Sequence, residues 1–260
     1  MNILFCGCGK MSQAFATVIK DIPGASFDCY SPSGQTAKEL AKLVLGQVFD
    51  LQKQKHFDVI VLGMKPQQFS LDSVPHSLYS EKTIFISLLG ATSLPKILSK
   101  LTKAKKVIRL MPNLLIAKSS GTTLGTFFNI HSSEKEFWMQ YFRRSGDFFE
   151  MNDQEIDQMT LLSGCLPAYY YYLFNEVVIF ARSSNLPMDT ALEVFISASR
   201  GVLSQNIDSK MNFTEMISQV ASKGGITQAV LDSWSSEHYK NMFQDGFKKG
   251  LERIVKLSGD

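Results

Sequence analysis

The feature that most limits what this chain can fold into stands at its start. Asn2–Cys6 is a short apolar run that ends directly in Gly7-Cys8-Gly9-Lys10-Met11-Ser12. Behind that loop, Met11, Ala14, Phe15, Val18 and Ile19 recur at helical spacing. A strand buried on both faces reads as such a run, so the order is strand, glycine turn, helix. The first glycine permits the tight turn. The second lets a pyrophosphate approach the backbone, where the N–H groups of the helix start meet its charge. Ser12 takes the place of a third glycine, and Ala14 offers another small residue for helix–strand packing. An ordinary tight turn would use the same residues. The strand–turn–helix setting points to a dinucleotide loop, with Gly7, Gly9, Lys10 and Met11 as cofactor contacts.

The alternation continues along the first half. Pro23-Gly24 breaks the first helix, and residues 25–30 read as a second strand closed by Ser31-Pro32-Ser33-Gly34. A helix over 35–45 follows, then strands over 58–64, 83–88 and 106–111. Strands alternating with helical segments imply an α/β fold with a doubly wound parallel sheet, whose ligand edge lies beyond the strands' carboxyl ends. Beyond residue 150 the pattern is helical: 155–162, 167–183, 187–206, 213–221 and 235–256, with Pro167 and Pro187 in first turns. Two domains are expected, a dinucleotide-binding one at 1–150 and an all-helical one at 151–260.

Composition excludes several classes. Hydrophobic residues make up 45% of 260, enough for a proper core. Lys plus Arg is 27 against 24 for Asp plus Glu, net +3, too balanced for affinity built on nucleic-acid phosphates or acidic lipid. The longest apolar run, near 168–174, is too short to span a membrane. The first residues carry no basic leader, so a cytoplasmic protein is expected. Cys6, Cys8, Cys29 and Cys165 make no disulfide framework at this size. No histidine or second cysteine pair stands at ligand spacing, so no metal is expected. Cys6 reads as a buried strand residue, and Cys8 as a small loop residue beside the phosphates.

The choice of cofactor follows from the end of the second strand. An acidic residue there would hold the ribose hydroxyls of NAD(H). Asp28 lies inside the strand, and the end itself offers Ser31 and Ser33, with Lys38 as a nearby cation. Hydroxyls accept a 2′-phosphate, so NADPH is favoured and NADH remains possible. Ser31 and Ser33 would equally suit a plain turn.

Several motifs occur in a telling order: GCGKM with Ala14, DVIVLGMKPQ at 58–67, VIRLMPN at 107–113, LSGCLPAYYYYLFNE at 162–176 and QVASKGGITQAVL at 219–231. With them the chain resembles the pyrroline-5-carboxylate reductase family over essentially its full length. The resemblance implies a Rossmann domain followed by a helical dimerisation domain. It also implies an NAD(P)H-dependent oxidoreductase that reduces a cyclic imine to L-proline in the last step of proline biosynthesis. A homodimer or ring of dimers is implied, with helices of two protomers completing each site.

Hydride transfer to a protonated C=N needs orientation and desolvation more than a strong acid. This suits a chain whose His56, His76, His131 and His238 form no catalytic constellation. Thr227 is the expected catalytic residue, its hydroxyl on the imine nitrogen. Gly224, Gly225, Ile226 and Thr227 would offer backbone N–H groups to the substrate carboxylate, and Ser222 a further hydroxyl. A plain helix–helix turn is the competing reading of that stretch. The resemblance puts Met64, Lys65 and Pro66 along the cofactor and Asn113 at the nicotinamide ribose or carboxamide. Ser87, Leu88 and Ala91 would flank the ring. The tyrosines at 169–172 spread around a helix and read as core and interface aromatics. The chain departs from the family pattern at Cys165, Leu166, Lys223, Ile226 and Val230, all at the substrate end. Two alternatives follow: a reductase of a related cyclic imine, or a catalytically degenerate dinucleotide-binding sensor.

Overall fold

The computed structural model describes residues 1–205, 207–208, 210–234 and 237–259. Eight strands form one sheet: β1 (Asn2–Cys6), β2 (Ser26–Tyr30), β3 (Gln47–Val48), β4 (Val59–Leu62), β5 (Ile84–Ser87), β6 (Lys106–Pro112), β7 (Gly121–Phe128) and β8 (Gly146–Glu150). Their order across the sheet is β3-β2-β1-β4-β5-β6-β7-β8. The pairings are parallel except β6 with β7, which is antiparallel, with Met111 opposite Leu124. The doubly wound parallel sheet is thus as expected, with one reversed strand pair toward the β8 edge. The direction of travel reverses between β1 and β4, and that switch point opens a crevice at the strands' carboxyl ends.

The strands β1, β2, β4, β5 and β6 are largely buried on both faces, so alternate residues feed two cores. Ile3, Phe5, Val59, Val61, Ile84 and Ile86 enter one, with α1 (Lys10–Ile19), α2 (Gln35–Leu43) and α4 (Ser132–Phe142). There Trp138 stacks on Phe142 at 6.0 Å between ring centroids, and Phe142 on Phe148 at 5.7 Å. Leu4, Cys6, Ile60, Leu62 and Phe85 enter the other, with Ile97 of α3 (Leu94–Lys100). On this second face β6 carries Arg109 and Met111, and Asn113 follows its end. Met111 packs on Ile156 of α5 (Asp153–Ser163).

The remaining helices are α6 (Leu166–Ser183), α7 (Met188–Leu203), α8 (Phe213–Val220), α9 (Ile226–Trp234) and α10 (Glu237–Ser258). Asn206 and Ser235, expected ends of two of them, lie outside the described residues. The chain divides into two compact units, one of Met1–Pro167 with Leu251–Asp260 and one of Ala168–Gly250. The first unit therefore holds α5 and the last turns of α10. Lys96 on α3 donates to the Ser258 carbonyl, placing a cation at the carboxyl end of α10.

Among its described residues the second unit has no core of its own. Between 168 and 250, Ala181 is the one apolar residue that reaches full burial among the described residues. Phe180 (61%), Val194 (64%) and Val220 (71%) stand open. Of the tyrosine run, Tyr169, Tyr171 and Tyr172 are exposed too. An apolar groove of about 490 Å³ lined by Val177, Phe180, Leu186, Val194 and Phe195 runs between α6 and α7. Patches of this kind on a helical unit mark a surface made to be covered. Among the described residues, no helix is long and apolar enough to cross a membrane.

Candidate active site

The crevice is built from the loops after β1, β2 and β4. Gly7 has φ +90°, and its N–H donates to the Tyr30 carbonyl at 2.8 Å, tying the end of β1 to the end of β2. A Cβ on Gly7 would lie 2.2 Å from the Met64 backbone nitrogen. Only glycine fits there, for conformation and for space alike. Gly63 answers from the β4 side, its N–H donating to Cys6 O at 2.8 Å.

Gly9 is different. It caps α1 with extended backbone, and a Cβ there would meet nothing within 4 Å. Open space therefore lies in front of α1, whose first-turn N–H groups (Lys10, Met11, Ser12) have no intrahelical acceptor. A phosphate fits that cradle, since the helix start supplies both donors and partial positive charge. Lys10 is exposed beside it and Met11 half-buried.

Cys8 corrects an expectation. Its side chain is 1% exposed and turns under the loop, with Sγ 3.3 Å from the Tyr30 carbonyl. It belongs to the core beneath the phosphate position. A hydrogen bond with Cys8, then burial, push the Cys29 thiol far above the ordinary thiol range. Burial does the same to Cys6. Among the described residues no group of His, Cys, Asp or Glu is arranged to hold a metal ion.

At the end of β2, Asp28 is buried inside the strand and held by Lys55 at 2.5 Å and Gln47 at 2.8 Å. Its carboxylate is committed to the protein. Ser31 Oγ accepts from the Ala37 N–H at 3.1 Å and from Thr36 Oγ1 at 2.9 Å, so it organises the start of α2 and keeps one proton to donate. Ser33 and Lys38 are exposed at the same corner. After β4, Met64 packs on the second core while Lys65 is exposed, its N–H donating to Gln68 Oε1 at 3.3 Å.

Asn113 is 5% exposed at the end of β6. Its Oδ1 accepts from Leu115 N–H at 3.1 Å and Thr122 N–H at 3.4 Å, and Nδ2 donates to Ser163 O at 3.3 Å. One amide hydrogen is left for a ligand. Four residues earlier, Arg109 is fully buried and bonded to Asp153 and Asp157. Sequence reasoning passed over this cluster. Its signals were a charge inside an apolar strand and two aspartates one helical turn apart at the start of α5.

In the helical unit, Ser222-Lys223-Gly224-Gly225 forms a tight turn. Gly225 N–H donates to Ser222 O at 2.9 Å, and Gly224 has φ +74°. A Cβ on Gly225 would lie 2.5 Å from Ser222 Oγ, so that hydroxyl folds over the glycine. The Gly225 N–H, expected to face a substrate, is spent on the turn. The open donors lie one step on, at Ile226, Thr227 and Gln228, because a helix absent from the sequence reading, α9, begins at Ile226. The Thr227 hydroxyl is exposed and has no partner among the described residues. The side chain of His238 lies outside the described residues.

Residues 153–257 match the family described as pyrroline-5-carboxylate reductase dimerisation. The helical half is thus similar, almost throughout, to a pyrroline-5-carboxylate reductase dimerisation domain. The similarity extends through the rest of the chain. The pyrroline-5-carboxylate reductase of Staphylococcus saprophyticus is 27% identical over 266 residues, covering 99% of this chain and 98% of its own. That of Staphylococcus aureus is 25% identical over 268 residues with the same coverage. Among solved structures, pyrroline carboxylate reductase of Plasmodium falciparum with NADP bound superposes with a TM-score of 0.82 at 20% identity, covering 99% and 98% of the two chains. The Streptococcus pyogenes 1-pyrroline-5-carboxylate reductase superposes with the same score at 22% identity, covering 100% and 99%. These two share the fold from end to end. The exposed apolar faces of α6–α9 lie within the matched residues.

Proposed function

We propose that this chain is a pyrroline-5-carboxylate reductase that uses NADPH and acts as a homodimer. The observation that carries the reading is the union, in one chain, of a reductase dimerisation domain with a dinucleotide cradle at the sheet's switch point. Gly7, Gly9, Lys10 and Met11 hold the pyrophosphate. Ser31 and Ser33 take the ribose 2′-phosphate with Lys38, and no free carboxylate stands there to repel it. Met64, Lys65, Pro66 and the remaining Asn113 amide hydrogen line the path toward the nicotinamide.

When bound, NADPH supplies a hydride equivalent to the imine carbon. The protein's task is to hold the imine and keep its nitrogen protonated. The Thr227 hydroxyl accepts from that N–H, orienting the ring, and stays with the amine of the product. The Ile226 and Thr227 N–H groups at the start of α9 hold the substrate carboxylate, with Ser222 beside them. Gly224 and Gly225 give the turn that presents them. No histidine is required, in keeping with the chemistry.

The test is oxidation of NADPH by the purified protein with racemic pyrroline-5-carboxylate, with NADH in parallel. Turnover that yields proline, faster with NADPH, is the expected result. NADPH binding without turnover would turn the reading toward another cyclic imine or a sensor.

A further inference from the structure

Arg109 is a costly residue to bury. It is fully buried in a strand, faces two carboxylates with one charge, and leaves its Nε without a hydrogen-bond partner. For packing alone, an apolar side chain there would serve as well or better, because desolvating ions offsets much of their attraction. What the ions supply is a fixed geometry. Nη1 donates to Asp153 Oδ1 at 2.7 Å and to Asp153 O at 3.0 Å, and Nη2 donates to Asp157 Oδ1 at 2.6 Å.

The carboxylates pass that geometry on. Asp157 Oδ1 also accepts from the Ala91 N–H at 3.1 Å, and Asp153 Oδ2 accepts from the Leu94 N–H at 2.9 Å. Both amides belong to the loop that follows β5. Ala91 has φ +49°, a left-handed conformation that a residue with a Cβ adopts only when its surroundings insist. Arg109 thus reaches that strained loop through α5, while Asn113 holds the far end of α5 through Ser163 O.

The position of the loop gives this a purpose. It leaves the carboxyl end of β5, next to β4 and on the opposite side of the switch point from β2. A dinucleotide laid across the switch point with its 2′-phosphate at β2 sends its nicotinamide toward β4 and β5. We propose that Arg109 is a positioning residue for the nicotinamide: through Asp153 and Asp157 it fixes the Leu88–Leu94 segment against which the ring lies. This rests on the reading that the chain binds NADPH in the crevice described above.

The experiment compares the full-length protein with Arg109→Lys, which keeps the charge but not the two-armed grip, and with Asp157→Asn, which loosens one arm. Four quantities are read: the Kd for NADPH, the fluorescence lifetime of the bound nicotinamide, kcat, and the isotope effect with NADPH deuterated at C4. The expected result for Arg109→Lys is a Kd within about threefold of the parent and a shortened lifetime. With it come a kcat lower by up to about a hundredfold, as for a reacting group displaced by an ångström, and a larger isotope effect. Asp157→Asn shows the same signature, smaller. A lower Tm with lifetime, isotope effect and kcat per folded molecule unchanged overturns the proposal, since a purely structural residue behaves so. If either variant fails to fold, the other decides. Should the parent bind NADPH without reducing pyrroline-5-carboxylate, a shortened lifetime in the variants still supports positioning and only the substrate reading falls. Should the parent bind no NADPH, the proposal falls with it.

Discussion

Ser12 Oγ occupies the place that a side chain at Gly63 would need: a Cβ on Gly63 would fall 1.9 Å from it. The same hydroxyl donates to Gly7 O at 2.7 Å. The close approach of helix and strand that a third glycine in the loop would allow is moved onto the partner strand. A hydroxyl on α1 meets a glycine after β4. Gly63→Ala is therefore expected to cost about 1–3 kcal/mol of stability, the range for overpacking a tight contact. Chemical denaturation checks it, and adding Ser12→Gly should return part of the loss.

Gly9 has no such crowding, so a substitution there tests the cradle rather than the fold. Gly9→Val should leave Tm and the dimer nearly unchanged while NADPH affinity falls by about a hundredfold or more, the loss of several charge-assisted hydrogen bonds. Calorimetry with NADPH and sedimentation of the same sample read both. Unchanged affinity would remove the pyrophosphate from this loop.

Thr227→Ala should lower kcat by about 10–100-fold, the worth of one hydrogen bond to a charged group. The Kd for NADPH should stay within about twofold, since Thr227 lies in the helical unit and the phosphate loop in the other. Equal losses in both would contradict its assignment to the substrate.

Thiol chemistry offers an independent check. Thiolates, not thiols, react; burial holds Cys6 in the thiol form, and a hydrogen bond with the buried Cys8, then burial, does so for Cys29. A colorimetric disulfide reagent is expected to find at most Cys165 in the native protein, and all four cysteines in denaturant.

The helical unit predicts its own dependence on pairing. Phe180→Asp with Val194→Asp puts charge into the groove between α6 and α7 and should shift sedimentation toward monomer. Turnover should be lost with the dimer while the first unit keeps its NADPH affinity. A dimer that survives would place its interface elsewhere.

Much of this was legible in the sequence, and for a physical reason. β1, β2, β4, β5 and β6 are buried on both faces, so each appears as a run of apolar residues bounded by a glycine, a proline or a polar turn. β7 was not read, because Gly121-Thr122-Thr123-Leu124-Gly125 interrupts the apolar pattern and its neighbour β8 is largely exposed. α9 was not legible because it is a short helix that starts directly on the glycine turn at 222–225. That mattered, since it moved the open N–H donors one residue along. The Arg109 cluster escaped because its partners lie far along the chain, and only folding brings β6 and α5 together.

The last ten residues rejoin the first unit, with Lys96 at the carboxyl end of α10. In the logic of chain connectivity, the helical unit is an insert and not an appendage. Both of its ends are anchored in the nucleotide half, so its unfolded chain is a closed loop whose freedom is already reduced. Removing residues 251–259 would thus release one anchor of the helical unit, far in sequence from any residue of the phosphate loop.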